Sequence, residues 1–318
     1  MLRELFTIPG IHFTIYGYGL MLVIACLSAI ALAKFLARRC GIDPEHFVNI
    51  GVIALLAGVI GARAAAVIQE WSHYTDGTLS QNLYHMINLR EGGLTYYGGL
   101  ILATPACIAY GLWHKIPILR GMDIVAPALM IGLGIGRIGC FVNGCCYGET
   151  CDLPWAVQFP YGSPPYEDQA LERKISIDPQ LLITPSHFDP KLMQSVPDVP
   201  RLRTKSELTT PAEQAAAASA KSLPVHPAQL YSTIMAFIVA GACVAYFTMS
   251  PGPGRVFGLM MLMEGFGRFT LEQLRVEPPV LHLGRFAWSA SMTIGVGLMI
   301  AGTIALLVLR RRATPVPA

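Results

Sequence analysis

Seven stretches of the chain are apolar almost throughout: 13–35, 47–68, 94–113, 122–140, 230–249, 256–271 and 287–309. A bilayer crossing takes about 20 mostly apolar residues. Helix is the expected spanning element, because lipid offers the backbone no outside hydrogen-bond partner. The stretches are too long and too uniformly apolar for strands of an outer-membrane barrel. The pattern therefore predicts an all-α, polytopic membrane helix bundle of about seven transmembrane helices. Helices one to four occupy 1–140, and 230–318 carries helices five to seven with a short basic tail. Between them, 141–229 is one extracytoplasmic insertion. Its second half, with Thr209-Thr210-Pro211, Ala215 to Ala218 and Ser219-Ala220-Lys221, buries little by composition and reads as flexible and partly disordered. In its first half Trp155, Val157, Phe159 and Tyr161 alternate with other residues, which predicts a short strand.

Composition supports lipid as the solvent. Of 318 residues 53% are apolar and 14% charged, against about a quarter charged in soluble domains. The net charge of +3 and the lack of a basic tract exclude a nucleic-acid partner. Basic residues orient the bundle. Lys34, Arg38 and Arg39 close the first stretch, His114, Lys115 and Arg120 follow the third, Arg255 precedes the sixth, and Arg310, Arg311 and Arg312 follow the seventh. With seven spans all of these fall on one side, so the positive-inside rule puts the N-terminus outside and the C-terminus in the cytoplasm. Val23-Ile24-Ala25-Cys26 looks like a lipoprotein cleavage box. Here the basic cluster follows a long apolar run, the reverse of a cleaved signal.

Charges within spans are expensive and are functional candidates by default. Arg63 and Arg137 sit toward the outer ends of the second and fourth spans. Glu264, Arg268, Glu272 and Arg275 run along one face of the sixth. Tyr18 opens the first span and Tyr97 the third. Arginine forks and tyrosine hydroxyls at one lipid depth suit a phosphate, so the expected ligand is a phospholipid headgroup. Structural readings stand beside this one: Arg268 and Glu272 as a knitting ion pair, the tyrosines as interfacial anchors. Gly134-Ile-Gly136-Arg-Ile-Gly139 matches a dinucleotide fingerprint in form. It ends an apolar span instead of following a strand, so the match fails. Most of these glycines read as helix-packing positions. Gly98 and Gly99 are expected to let a lipid or peptide approach the backbone.

Eight cysteines are present. Cys140, Cys145, Cys146 and Cys151 crowd the outer face, where disulfides are the expectation. Zinc is the weaker reading because no Cys-x-x-Cys hook occurs. A membrane thiol oxidoreductase built on this cluster is the main rival function, weakened by the same lack.

At this point the residues carry a resemblance. Gly136-Arg137-Ile138-Gly139-Cys140-Phe141-Val142-Asn143-Gly144 through Tyr147-Gly148 resembles the signature of the prolipoprotein diacylglyceryl transferase family. So do Tyr18-Gly19-Leu20-Met21, Gly61-Ala62-Arg63, Gly92 to Gly99 and Asp123 with Ala126-Pro127. His226-Pro227-Ala228-Gln229-Leu230-Tyr231, and Gly265 with Arg268, Glu272 and Arg275, complete the set in the family's order. The resemblance implies a multi-pass bacterial inner-membrane enzyme with two substrates. One is phosphatidylglycerol; the other is a preprolipoprotein signal peptide with a lipobox cysteine. The diacylglyceryl group would pass to that cysteine thiol as a thioether, without metal or cofactor. It implies Arg137 and Arg268 as catalytic cations, Glu272 orienting Arg268, and Tyr97 at the family's catalytic position. Arg63 and Arg275 would support them, Tyr18, Asn143 and Gly148 would meet the headgroup, and His226 and Gln229 the peptide. Two departures stand out: many members carry histidine where Tyr97 stands, and asparagine where Cys140 stands. A non-enzymatic lipid-binding protein or transporter would spread polar residues through the membrane depth; here the inner halves of the spans are nearly free of charge.

Overall fold

A computed structural model describes residues 4–8, 13–71, 74, 78–88, 95–184, 186–189, 194–197, 201–275, 281–283 and 286–309. Strands β1 (Glu4–Ile8) and β2 (Phe13–Tyr16) form an antiparallel hairpin leading into α1 (Gly17–Arg39). Helices α2 (Glu45–Gln69), α3 (Leu79–Ile87), α4 (Tyr96–Trp113) and α5 (Ile118–Asn143) follow. The long connection holds α6 (Pro164–Leu171), β3 (Leu182–Ile183), β4 (Ser186–Asp189), β5 (Gln194–Pro197), β6 (Arg201–Leu202) and α7 (Pro211–Ser219). Then come α8 (Ala228–Thr248), α9 (Arg255–Glu272), the hairpin of β7 (Leu281–Leu283) and β8 (Phe286–Trp288), and α10 (Ala290–Leu309). Strand β3 pairs with β6 and β4 with β5, both antiparallel.

Each of the seven apolar stretches contains a helix. Five of the helices, α1, α2, α5, α8 and α10, are long and apolar enough to cross a membrane by length and composition. Helix α9 is continuous, but Glu264 and Arg268 interrupt its apolar run. The exposure of Leu27 (63%), Ile101 (73%) and Leu307 (63%) is intelligible only with lipid outside. Two boundaries move from the sequence expectation. Phe13-Thr14-Ile15 is strand, since β-branched and aromatic residues favour extended backbone, and α1 opens at Gly17. The last helix opens at Ala290, where the Ser289 hydroxyl accepts from Met292 N at 3.2 Å as a cap.

The chain divides into two compact units. In the unit of 25–132, 238–263 and 299–318, α2 and α4 pack backbone to backbone. A Cβ on Gly98 would collide with Ala65 and the Gly61 carbonyl, and one on Gly99 would stand 2.9 Å from Gly58 O. Gly98 and Gly99, expected to admit a lipid, are thus filled by α2, because its own Gly58, Gly61, Ala62 and Ala65 lack bulk on that face. In the same unit Asp123 is fully buried. Its carboxylate accepts from Gly254 N at 2.7 Å and Phe257 N at 3.0 Å, capping the start of α9 from α5.

The other unit comprises 1–24, 133–237 and 264–298. Its long connection has a core of its own: Tyr161, Tyr166, Leu181 and Leu208, with Ile175, Ile177, Leu202, Ala216 and Ala217 against it. The alanine run expected to be flexible is α7, because Pro211 starts the helix and Thr210 with Glu213 forms a capping box. The anticipated strand at 155–161 appears as an irregular antiparallel pairing with 220–225. Val157 and Val225 exchange both backbone hydrogen bonds at 3.1 Å.

Gly98→Val should force α2 and α4 apart and lower the yield of folded, detergent-extracted protein; a monodisperse size-exclusion profile equal to wild type would contradict this packing. Glu207, bonded twice by Arg201, has its carboxyl pulled down to about 2, first by that hydrogen bond. A depressed carboxyl stabilises the fold above its unfolded value near ~4.3 and stops doing so as pH falls through about 2. Protease resistance of 201–220 should therefore weaken across that window, modestly because the pair is exposed, and Glu207→Gln should lack the step.

Candidate active site

The charged residues of α9 recur at near-helical spacing, which places them on one face. That face meets Arg137 of α5, Ser232 of α8 and Ser291 of α10 around one cavity lined also by Glu264, Arg268, Glu272 and Arg275. Its enclosed volume is about 30 Å³, room for a water or two, so the charges have closed onto one another. Arg268 Nε stands 3.8 Å from Glu264 Oε1, one turn earlier. Glu272, 4% exposed, receives the Ser289 hydroxyl at 2.9 Å and Arg275 Nη1 at 3.4 Å. Each carboxylate thus holds a neighbouring guanidinium in place.

Three short backbone segments wall the site beyond the end of α9. Gly148 N donates to His226 O at 3.0 Å, Glu149 N to Leu274 O at 2.9 Å, and His226 N to Glu149 O at 2.9 Å. Gly148 pairs with Arg275 across a bridge. A Cβ there would stand 2.6 Å from Leu274 O and 2.7 Å from His226 Cβ. Gly148 is therefore a close-approach position that lets the backbone carrying Arg275 lie against the Cys145–Tyr147 turn. His226 Nδ1 lies 3.4 Å from the Tyr231 hydroxyl, which accepts from Trp155 Nε1 at 2.7 Å.

Arg275 also lines an open cleft of about 420 Å³ with Cys146, Tyr147, Asp168, Leu171 and Glu172. The Tyr147 hydroxyl donates to Asp168 Oδ2 at 2.6 Å. Burial first, and then this carboxylate, push it above its ordinary value. Beside the cleft the chain turns sharply, with Gly144 at φ +82° and Cys146 at φ +59°. The Sγ atoms of Cys140, Cys145 and Cys146 all lie within 4.8 Å of one another. All eight cysteines are free thiols, Cys151 among them. Gln229, fully buried, donates Nε2 to Cys145 O at 2.7 Å and so anchors this turn to α8. Asn143 lies within interaction range of the Cys145 thiol. Tyr18 is in electrostatic range of Arg137 and all three thiols, and its ring lies 3.3 Å from where a Gly139 Cβ would be.

Arg137, Arg268, Glu272, Arg275, Tyr18, Asn143, Gly148, His226 and Gln229 thus belong to one unit. Arg63 belongs to the other. There its Nε donates to Met86 O at 2.9 Å and its Nη2 to the carbonyls of His85 and Asn88, over the Tyr74 ring. The fork closes the C-terminus of α3, a favourable place for a cation. Tyr97 opens α4, but its side chain lies outside the described residues. Sequence reading missed Ser289, because its link to Glu272 spans 17 positions; only its place before α10 signalled a cap. It missed the Tyr147–Asp168 pair for the same reason.

A family model described as prolipoprotein diacylglyceryl transferase matches residues 3–308. Three relatives carry the name phosphatidylglycerol–prolipoprotein diacylglyceryl transferase. The protein of Clostridium tetani is 25% identical over 90% of this chain and 92% of its own length. That of Finegoldia magna is 28% identical over 95% and 93%. That of Rhodopirellula baltica is 36% identical over half of this chain and 32% of its own.

Ser289→Ala should leave Glu272 short of a charge-assisted hydrogen bond and cost about 1.5–3 kcal/mol. Thermal unfolding in detergent reads the loss, and Ser289→Thr should restore most of it.

Proposed function

The chain belongs to the prolipoprotein diacylglyceryl transferase family, and from that premise we propose how its residues act on phosphatidylglycerol and a lipobox cysteine. The reaction joins the cysteine sulfur to the glyceryl methylene and releases glycerol phosphate. The sulfur attacks as thiolate. The carbon–oxygen bond breaks, and the phosphate goes from one negative charge as a diester to two as a monoester. Cations fixed where that charge grows lower the barrier. The observation that supports this reading is the meeting of Arg137, Arg268 and Arg275 around one cavity beside Glu264 and Glu272.

In this scheme Arg137 and Arg268 take the phosphate, with Glu272 holding Arg275 beside them. A headgroup needs more than the present ~30 Å³, so the phosphate displaces the Glu264–Arg268 contact, which at 3.8 Å is already long. Arg275 stands between this cavity and the open cleft, and that cleft is the proposed entry for the signal peptide. Tyr18 and Asn143 border the headgroup, and Gln229 and His226 shape the mouth. Tyr97 keeps the catalytic place that the family resemblance implies. The membrane is the bacterial inner membrane. Its outer face carries residues 141–229 and the N-terminus, after seven crossings that put the basic tail in the cytoplasm.

With labelled phosphatidylglycerol and a lipobox peptide, Arg137→Ala should lose transfer by about 100-fold or more while still inserting in the membrane. Arg137→Lys should recover only part, since a point charge lacks the fork. Full transfer by the alanine variant would remove the assignment.

A further inference from the structure

We propose that Cys140, Cys145 and Cys146 hold a zinc-class divalent cation whose open fourth position takes the thiol of the lipobox cysteine. This rests on the transferase reading above and adds the group that makes the thiolate. The sequence spacing argues against a zinc site for lack of paired Cys-x-x-Cys hooks, but the fold supplies what spacing does not. Cys140 lies in the last turn of α5, and the turn through Gly144 brings Cys145 and Cys146 back, so that all three sulfurs come within 4.8 Å of one another. Three protein ligands with a fourth place left open are the pattern of a working zinc site, whereas a structural one is closed by four.

Two further features fit. Gln229 is fully buried and its Nε2 is used on Cys145 O, yet its Oε1 has no hydrogen-bond partner. Such an acceptor beside the cysteine turn suits a water or thiol on the metal. Arg137 and Arg275 both lie within electrostatic range of Cys146. Three thiolates and a dication carry one net negative charge, and a fourth thiolate makes it two, which these guanidiniums offset. Cys146 and Arg275 also line the open cleft. Arg137 is common to the thiol cluster and the phosphate cavity, so nucleophile and ester would meet across it.

The peptide thiol displaces water from the metal and gives its proton to solvent, leaving a metal-bound thiolate. That sulfur forms the bond to the glyceryl methylene, the carbon–oxygen bond breaks, and the electron pair leaves with glycerol phosphate. The thioether is a poor ligand and departs, and water returns. No oxidant or reductant is consumed. A coordinated thiol is deprotonated without a side-chain base, while a free thiol ionises near pH ~8.5.

The test uses the full-length reduced protein in detergent, loaded with zinc or with cobalt(II) as a spectroscopic stand-in. One zinc per chain should bind, weakened by about 100-fold or more in each of Cys140→Ser, Cys145→Ser and Cys146→Ser, and unchanged in Cys151→Ser. The cobalt form should show thiolate charge-transfer absorption that grows by about one third, as three sulfurs become four, with a cysteine lipobox peptide and not with its serine analogue. Transfer by the zinc form should be nearly flat with pH around neutrality. The metal-free form should climb about tenfold per pH unit up to ~8.5. Zinc retained by the triple serine variant, a cobalt spectrum blind to the peptide, or a native disulfide joining two of the three thiols overturns the site. Equal transfer with and without metal overturns the activation step and leaves the transferase reading standing. Absence of transfer from both forms sinks that reading and the activation step with it, while the spectra still decide the site.

Discussion

A guanidinium inside an apolar helix bundle does not give up its proton, so its charge has to be met by a carboxylate, by carbonyl dipoles or by a bound anion. The two units of this chain meet that demand differently. Arg63 is met by carbonyls at the end of α3 and by the face of Tyr74. Arg268 and Arg275 face Glu264 and Glu272 at 3.8 and 3.4 Å, around a cavity that Arg137 also lines. One arginine is satisfied by backbone carbonyls, whereas Arg268 and Arg275 are paired with carboxylates.

Everything around the cavity keeps those cations from drifting. Ser289 holds Glu272 from the start of α10, so the carboxylate is fixed by an element other than its own helix. The bridge between Gly148 and Arg275, with the hydrogen bonds of Glu149 and His226, ties the end of α9 to the turn after α5. A side chain at Gly148 would separate them. The connection between α5 and α8 contributes a core of its own around Tyr161 and Leu181, and through Asp168 and Glu172 it forms one wall of the cleft.

In the proposed reaction the thiol cluster and the arginines would serve complementary parts of one displacement. Displacement at carbon needs a sulfur anion on one side and a phosphate that can accept more negative charge on the other. Cys146 lies within range of Arg137 and Arg275, so the same field serves both. Tyr18 stands beside the thiols and Arg137 alike.

The apolar helices and the residues that face the cavity from α9 were legible along the chain, because lipid imposes an apolar run of set length and helical spacing gathers Glu264, Arg268 and Glu272 without help from any other element. The same local rule could not tell Arg63 from Arg137, since both are single cations near the end of a span. Nor could it see that Gly98 and Gly99 face α2, that the Ala215–Ala218 run closes over Leu181 and Leu208, or that three cysteines share one point. Sequence by itself determined what must lie in the membrane and which chemistries were on hand, because burial of apolar surface and avoidance of charge are properties of each segment alone. Only tertiary structure decided which cation is met by backbone carbonyls and which by carboxylates around a cavity, because partners such as Ser289 for Glu272 and Gln229 for the cysteine turn come from segments far apart in sequence.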